Sequence, residues 1–448
     1  MLIDQIKQAG VVGAGGAGFP THVKLNAEAE CFIVNAAECE PLIETDKFFC
    51  RNFTDELIEG AVLIGEHLKA KRIVIGLKRE YEKEVAALRA CIEKKNAPVE
   101  LFLMDAFYPT GDEQVLVQMV TGRSVPERGI PLAVGAVVDN VGTVLNIYNA
   151  VKGEVLTEKY LSVTGAVEKP VMVKVPLGTP ILECIEAAKP VTDDYEVIIG
   201  GPMMGKLVPS EEDVLKTTVT KTTSNLLILP KGHYLPTTTR KPMSHNLHLA
   251  KSACLQCRYC TTMCPRYRIG HDMQPHKIMR AVFLEKNVED NEEYLKLYGS
   301  AMNCSECGVC EMYACPMGLA PRKVNKYLKG KLREKNIDVP KNPEPAAREL
   351  NMAGRAATSR LIARLGLTKY YAHADDNYIT LSPERVTIPM AQHIGKPADP
   401  VVAVGTAVSR GTLIGKAADG ALSANIHASI DGVVEAVENG SVTIRQSR

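Results

Sequence analysis

Cysteine is the residue type whose placement points most directly to chemistry in this chain. Thirteen cysteines occur in 448 residues, and eight of them lie in one short segment. The first run in that segment is Cys254-x2-Cys257-x2-Cys260-x3-Cys264-Pro265. The second run is Cys304-x2-Cys307-x2-Cys310-x4-Cys315-Pro316, with one extra residue before its last cysteine. Disulfide scaffolds are small and secreted, so clustered cysteines in a chain of this size indicate metal binding instead.

The spacing within each run is typical of iron-sulfur clusters. Three thiolates on a tight turn can reach three irons of one [4Fe-4S] cubane, and in two-cluster ferredoxins the cysteine before proline ligates the other cluster. We therefore expect two [4Fe-4S] clusters with crossed ligands. The first set is Cys254, Cys257, Cys260 and Cys315, and the second set is Cys304, Cys307, Cys310 and Cys264. The extra residue before Cys315 departs from the spacing of the first run, and it affects which cysteine is assigned as the fourth ligand.

Zinc is the alternative for such cysteines, because Cys-x2-Cys pairs also bind tetrahedral zinc. A zinc site gains nothing from a triple Cys-x2-Cys-x2-Cys run that is repeated with a Cys-Pro end. The repeated triple run therefore favours iron-sulfur clusters over zinc.

A glycine-rich loop over residues 13–21 is the second feature with chemical potential. It contains a G-x-G-x-x-G pattern, yet only Val11 and Val12 precede it where a dinucleotide-binding fingerprint follows a full strand. No Gly-Lys-Ser/Thr follows, so it is not a phosphate loop of the nucleotidase kind. The backbone can approach a flat ligand or a phosphate closely, with Pro20 placed to open a helix and Lys24 one turn further on. A glycine turn without a ligand is the alternative.

Three polar segments lie where elements of secondary structure begin or end. Residues 35–41 follow a short apolar strand, residues 108–114 open a helix, and residues 137–143 close a strand. Folds with alternating strands and helices place ligand sites at such ends. Together with the glycine loop, these segments predict one binding site.

The same residues resemble a known family. The glycine loop through Lys24 and the three polar segments resemble the FMN- and NADH-binding subunit of respiratory complex I, and still more the C subunit of the Rnf electron-transport complex. Residues 200–205 also match the Rnf type, and residues 161–188 resemble its β-grasp insert. A piece resembling its lipoyl-like barrel lies here at the C-terminus, over residues 392–434. That permuted order is similar to the PduS-type cobalamin reductases of bacterial microcompartments.

The resemblance implies a set of cofactor contacts. For FMN they are Gly13, Gly15, Gly16, Lys24, Asn35, Glu38, Gly111, Asp112, Asn140 and Thr143, and for NADH they are Phe19, Glu40 and Glu113. Two departures occur: Ala14 replaces an arginine that is common in the complex I loop, and Ala37 replaces its aspartate. Each removes a charged group beside the cofactor.

The resemblance also implies a function. Electrons would pass from NADH to FMN, then through two [4Fe-4S] clusters to cobalamin, with cobalamin or a corrinoid adenosyltransferase and a microcompartment shell protein as partners. A flavin joins the two-electron donor to one-electron clusters. No acid-base or nucleophilic residue is needed. Three alternatives stay open: a protein acceptor that serves NAD+ regeneration, an Rnf-like pump arm, and a non-catalytic electron-wiring adapter.

Composition excludes several classes of protein. Hydrophobic residues make up 46% and charged residues 23%, which is typical of a folded globular protein. Lys and Arg total 53 against 52 Asp and Glu, so no global basic field predicts nucleic-acid binding. The longest apolar runs are far shorter than the roughly 20 residues of a membrane span, and no secretion signal begins the chain. We expect a cytoplasmic protein that lies within a bacterial microcompartment.

Patterns along the chain predict several domains of mixed α/β and α+β class. They are an α/β domain over residues 1–153, an α+β domain over 154–235, a helical cysteine-bearing domain over 236–335, a linker with an amphipathic helix over 336–384, and an all-β domain over 385–448. The resemblance implies that the first is a Rossmann-like FMN/NADH domain, the second a β-grasp domain, the third a ferredoxin-like domain, and the last a barrel-sandwich domain. In that linker we expect Arg348, Arg355, Arg360 and Arg364 to lie on the solvated face of a helix that ends near residue 367.

Overall fold

The N-terminal part of the chain is built around a four-stranded parallel sheet. The computed structural model describes residues 2–348, 354–374 and 376–447. The sheet order is β3-β2-β1-β5, and apolar strands such as β1 are buried because helices cover both faces. The elements are α1 (Leu2–Ala9), α2 (Thr21–Lys24), β1 (Cys31–Asn35), α3 (Thr45–Asn52), α4 (Thr54–His67), β2 (Arg72–Lys78), α5 (Glu82–Lys95), β3 (Val99–Met104), β4 (Phe107–Tyr108), α6 (Glu113–Thr121), β5 (Ala136–Asn140) and α7 (Val141–Val151).

A six-stranded mixed sheet follows, in the order β12-β7-β6-β10-β8-β9. Its central strand β10 is apolar on both faces: Leu226 and Ile228 belong to the core that includes Ile181 and Ile185 of α8, and Leu227 and Leu229 belong to a second core. The elements are β6 (Glu158–Gly165), β7 (Val171–Pro176), α8 (Ile181–Ala187), β8 (Tyr195–Ile199), β9 (Lys206–Leu207), α9 (Glu211–Lys216) and β10 (Asn225–Pro230). Between α9 and β10, residues 217–224 form a loop rich in threonine.

The cysteine-bearing part is helical, with a core that includes Tyr294, Tyr298 and Leu328. Its helices are α10 (Tyr234–Arg240), α11 (Met243–Ala253), α12 (Tyr259–Thr262), α13 (Pro265–Arg268), α14 (Pro275–Ala281), α15 (Asn291–Tyr298) and α16 (Pro321–Glu334). One turn of π-helix covers Cys310–Ala314, which is the stretch with the extra residue in the second cysteine run. Because a π turn absorbs one residue more than an α turn, it accounts for the longer spacing.

The segment after residue 336 corrects one sequence-based expectation. The predicted amphipathic helix is wrong over residues 356–357, which form β11 (Ala356–Ala357) and pair with β4. The helix itself, α17 (Thr358–Arg364), is shorter than predicted, and residues 349–353 lie outside the described residues. Arg348 and Arg355 stack over the rings of Tyr267 and Phe107 rather than forming a solvated face. Stacking on aromatic faces stabilises these guanidinium groups where solvent is excluded.

The C-terminal part is a small barrel sandwich of two antiparallel sheets with the orders β13-β19-β18-β15 and β14-β16-β17. Its core includes Val386, Ile414, Ile426 and Ile444. The strands are β12 (Tyr378–Thr380), which joins the six-stranded sheet, then β13 (Arg385–Pro389), β14 (Asp399–Pro400), β15 (Ala407–Val408), β16 (Leu413–Lys416), β17 (Ile426–His427), β18 (Gly432–Glu438) and β19 (Ser441–Gln446). Within the described ranges, none of the helices combines the length and apolar character that a membrane crossing requires.

Candidate functional site

A cavity of about 680 Å³ lies where the parallel sheet, the six-stranded sheet and the helical part meet. Its volume is within the range of cofactor sites. The parallel pairing of β1 with β5 aligns Asn35 with Asn140, which brings two of the predicted polar strand ends to one edge of the sheet. Of the predicted cofactor residues, the cavity is lined by Gly15, Gly16, Asn35, Glu38, Glu40, Gly111, Asp112 and Asn140.

The glycine loop is fixed by contacts at both of its ends. The Gly13 amide donates to the Phe19 carbonyl at 2.9 Å, and the Ala14 amide donates to the Thr143 hydroxyl at 2.9 Å. A Cβ atom on Gly15 would lie 2.8 Å from Cγ of Asn140, so only glycine permits this approach. The predicted residues Gly13, Phe19 and Thr143 therefore shape the loop from outside the cavity lining.

Asparagine side chains fasten the polar segments to one another. Asn35 donates to the Gly111 carbonyl at 2.9 Å, and Asn140 donates to the Asp46 carboxylate at 2.7 Å. A Cβ atom on Gly111 would lie 2.2 Å from the Ala37 carbonyl oxygen, so this crossing of two backbone segments requires glycine. The cavity wall is thus held together before any ligand binds.

Lys24 and Glu113 contact each other outside the lining of the cavity. The Lys24 ammonium donates to the Val138 carbonyl at 2.7 Å and lies 3.4 Å from the carboxylates of both Asp139 and Glu113. Burial opposes the charge on Lys24, yet these two carboxylates raise its pKa on balance. In this geometry Lys24 stabilises the end of β5, and its contact with FMN stays a prediction.

Glu40 is held by the loop over residues 200–205. Its carboxylate accepts hydrogen bonds from the amides of Met203 at 2.8 Å and Met204 at 2.9 Å. Burial raises the pKa of Glu40 to about 8 although both amides oppose the shift. The NADH contact expected of Glu40 stays a prediction, and the structure shows the carboxylate engaged by this loop.

Four of the clustered cysteines surround a small recess near the protein surface. The recess is lined by Cys254, Cys257, Cys260 and Cys315. Burial raises the pKa of the Cys260 thiol to about 12, and the other three thiols raise it further. We call these four residues the outer set, because Cys257 is exposed. They are the four that the crossed pairing assigns to one cluster.

The other four cysteines lie close together in the interior. Burial raises the pKa of the Cys310 thiol, and the neighbouring Cys304, Cys307 and Cys264 raise it further. We call these four residues the inner set. Within the described ranges, no three His, Cys, Asp or Glu side chains are arranged to hold one metal ion. A cubane distributes its four thiolates over four irons and so requires a wider spacing.

The inner set borders the large cavity. Cys307 lines the cavity itself, and its carbonyl accepts a hydrogen bond from the buried Tyr108 hydroxyl at 2.6 Å. Arg266, two residues after Cys264, donates to the cavity residue Asp112 at 2.7 Å. These contacts join the two sites that the sequence predicts separately.

Several residues of the site are not identified by the sequence analysis. They include Arg266, Lys159 and the hydroxyl-rich loop over residues 217–224. The density of threonine in that loop was the available signal, whereas a single lysine or arginine carries none. A separate, more open cleft of about 870 Å³ lies on the six-stranded sheet, away from the predicted residues.

Comparison with known domain families matches the whole arrangement. The Nuo51 FMN-binding domain matches residues 6–149, the SLBB domain 160–207, the 4Fe-4S dicluster domain 253–320, and the RnfC barrel sandwich hybrid domain 368–447. These matches confirm the predicted multidomain fold class. They define an FMN-dependent, iron-sulfur oxidoreductase.

Curated relatives identify the family. The chain is 42% identical over 445 residues to the cobalamin reductase PduS of Salmonella typhimurium, which covers 98% of this chain and 95% of that protein. It is 40% identical, with the same coverage, to the cobalamin reductase PduS of Citrobacter freundii. The chain belongs to the PduS family. It is also 34% identical, over 61% of this chain and 34% of that protein, to the C subunit of the ion-translocating oxidoreductase complex of Vibrio cholerae.

Proposed function

We propose that this protein passes electrons from NADH, through FMN and two [4Fe-4S] clusters, to cobalamin in a propanediol-utilisation microcompartment. One observation carries the proposal: Cys307 belongs to the inner set of cysteines and also lines the cavity beside the glycine loop. A two-electron donor site and a one-electron cluster site that share a wall suit a flavin between them. Cobalamin is the proposed acceptor because the PduS relatives are named cobalamin reductases.

The cavity residues fit FMN by their chemistry. Gly15 and Gly16 would let the backbone approach a flat ring, and Asn35, Asn140 and Asp112 would place polar groups beside FMN in the same cavity. When bound, FMN supplies acceptance of a hydride and release of single electrons. The protein binds the ring, keeps the glycine loop in place through Thr143, and holds the inner set against the cavity wall.

The outer and inner sets each supply four thiolates, which is the ligand count of a [4Fe-4S] cluster. Nearby groups donate hydrogen bonds to their sulfurs: the Gln256 amide to Cys254 at 3.1 Å, the Glu306 backbone to Cys304 at 3.4 Å, and the Leu319 backbone to Cys315 at 3.4 Å. Such bonds tune the potential of a bound cluster. Electrons from the cavity would reach the outer set through the inner set.

NADH as donor rests on the family resemblance and on the residues that line the cavity. Glu40 and the loop over residues 200–205 line one side of the cavity, with Met204 exposed to solvent. Phe19 and Glu113 lie outside the lining, and their contacts with NADH stay predictions.

The outer set is where we expect the acceptor. Cys257 is exposed, whereas Cys264, Cys307 and Cys310 of the inner set are buried, so we expect an external acceptor to meet the outer set first. Cobalamin could be reduced free or when bound to a corrinoid adenosyltransferase, and contact with a shell protein would place the enzyme inside a microcompartment. A protein acceptor that serves NAD+ regeneration is the second candidate, because the same exposure favours it equally.

The experiment that separates these acceptors is anaerobic. The full-length protein is reconstituted with iron, sulfide and FMN, NADH is added, and flavin bleaching is followed with and without hydroxocobalamin. Flavin bleaching together with formation of reduced cobalamin supports the proposal, provided that cobalamin reduction is lost in Cys257→Ala and retained in Cys91→Ser. Cys91 is a suitable control because it lies outside both sets. Bleaching without cobalamin reduction supports a protein acceptor, and no bleaching contradicts NADH as donor.

A further inference from the structure

Lys159 is a buried lysine on the wall of the flavin cavity. Only 6% of its surface is exposed, and it is contributed by β6 of the six-stranded sheet rather than by the FMN-binding part. Within the part of the chain that the structure describes, its ammonium donates no hydrogen bond and forms no ion pair. Asp46 is the one opposite charge that acts on it, and the carboxylate of Asp46 already accepts from Asn140 at 2.7 Å. Lys159 lines the cavity, so a ligand bound there can supply the acceptor that the described protein does not.

The hydroxyl-rich loop lies at the same edge of the six-stranded sheet as Lys159. Strands β6 and β10 pair in parallel with Ser162 opposite Asn225, so Lys159 and Thr222 each precede the paired residues by three positions. The Thr220 hydroxyl lies 3.2 Å from the hydroxyl of Thr222 and 3.1 Å from that of Thr223, and all three residues line the cavity.

The glycine loop faces this group from the other side. A Cβ atom on Gly18 would lie 2.9 Å from the Thr222 methyl group, so the two loops are in direct contact. In the described structure, the backbone amides of Gly15, Gly16 and Ala17 donate no hydrogen bond. Free amides, hydroxyls and an ammonium around one cavity are the donors that bind phosphate.

We propose that the six-stranded sheet supplies the phosphate subsite of the flavin cavity, with Lys159 as its charge and the Thr220–Thr223 turn as its hydroxyl donors opposite the glycine loop. The ligand is a phosphate ester, either the phosphate of FMN or the pyrophosphate of NADH. This inference rests on the proposed function, because it assigns a role within the same cavity. It explains how the SLBB domain takes part in the flavin site.

The test compares FMN with riboflavin, which lacks the phosphate, and NADH with reduced nicotinamide mononucleotide, which lacks the adenylate half of the pyrophosphate. Full-length protein freed of flavin is titrated with FMN and with riboflavin, following the quenching of flavin fluorescence, and with NADH and reduced nicotinamide mononucleotide. In Lys159→Met, FMN affinity is expected to fall by about tenfold to a hundredfold while riboflavin affinity stays unchanged. Lys174→Met is the matched control, because Lys174 lies on the neighbouring strand β7, pairs with Glu158, and does not line this cavity.

A second variant keeps the test independent of folding. Thr222→Val preserves the shape of the side chain and removes only the hydroxyl, and we expect FMN affinity about fivefold lower with an unchanged Tm. If only the preference for NADH over reduced nicotinamide mononucleotide is lost and FMN binding is intact, the result would support the subsite and assign it to the dinucleotide. An equal loss of FMN and riboflavin affinity in Lys159→Met, or no change in any ligand, would overturn the inference. Failure of the unaltered protein to bind either flavin would instead contradict the proposed cofactor.

Discussion

The two sets of cysteines have nearly the same spacing in sequence and very different surroundings. In the inner set, Cys264, Cys307 and Cys310 are all less than 9% exposed, and the set borders the flavin cavity. In the outer set, Cys257 is exposed, and its neighbours Leu255 and Tyr259 have 65% and 54% of their surfaces in solvent. From equal ligand chemistry in unequal environments we propose unequal roles: the inner set would exchange electrons within the protein, and the outer set would exchange them with a partner.

Packing rather than ligand spacing produces this difference. Tyr108, Arg266 and Arg322 enclose the inner set: Tyr108 bonds the Cys307 carbonyl, and Arg322 links the Met203 carbonyl to the buried Glu311. The outer set has the short loop over residues 316–318, which is exposed, as one of its walls. Removing one ligand from each set is therefore expected to have separable consequences.

The largest effect is expected from Cys307→Ala. Because the inner set borders the cavity through Cys307 and none of the outer set lines it, acceptor reduction should fall to the background of cluster-free protein, while NADH still bleaches the flavin. Iron content should fall by about half, since one of two four-iron sites is lost. An iron assay measures the iron content, and anaerobic absorbance measures flavin bleaching and acceptor reduction. An unchanged rate of acceptor reduction would contradict the comparison.

Cys257→Ala should remove about half of the iron as well, since the outer site is lost, with a milder effect on the rest of the protein. Cys257 is exposed, so its loss leaves the interior packed, and Tm should fall less than in Cys307→Ala. The inner cluster should still accept electrons from NADH, detected by low-temperature EPR, although acceptor reduction is lost. A Tm loss equal to that of Cys307→Ala would show that exposure does not distinguish the two sets.

Arg266→Met tests the link between the inner set and the cavity. The ion pair of Arg266 with Asp112 is 2.7 Å long, and both side chains are almost buried, at 11% and 13% exposure. Removing the arginine leaves the carboxylate buried without its partner, which costs about 3 kcal/mol of the free energy of unfolding. A lower Tm of the reconstituted protein measures this. Lys95→Met, which breaks an exposed ion pair with Asp55 and Glu59, is the control and should change Tm little.

The smallest effect concerns pH and the phosphate subsite. Burial lowers the pKa of Lys159 to about 8, and the facing Asp46, itself influenced by Glu38 and Lys47, opposes the shift. A bound phosphate would raise this pKa, so the preference for FMN over riboflavin is complete below pH 8 and declines as pH rises through it. Fluorescence titrations between pH 7 and 9 measure the ratio of the two affinities. A ratio independent of pH would exclude Lys159 as the charged group.

Local spacing made much of this architecture predictable. The glycine loop, the polar ends of β1 and β5, and the two cysteine runs are contiguous motifs, and their geometry depends on a few neighbouring residues. The strands and helices of the first 150 residues follow equally from short apolar periods, as in β2 and α5. Such features are determined by residues that are close together in the sequence.

Contacts between distant segments could not be predicted in the same way. The pair of Arg266 with Asp112 joins residues 154 positions apart, and Lys159 reaches the cavity only because β6 packs beside α3. The predicted helix around Arg355 was wrong because the pairing of β11 with β4 and the ring of Phe107 determine the conformation there. Tertiary pairing overrides a helical pattern of this kind.

The most direct test of the account is the order in which the two clusters are reduced. Reconstituted protein is mixed with NADH, frozen within milliseconds to seconds, and examined by EPR in three forms: unaltered, Cys257→Ala and Cys307→Ala. We predict that the inner cluster is reduced in Cys257→Ala as fast as in the unaltered protein, and that the outer cluster stays oxidised in Cys307→Ala. Reduction of the outer cluster at an unchanged rate in Cys307→Ala would contradict the proposed path.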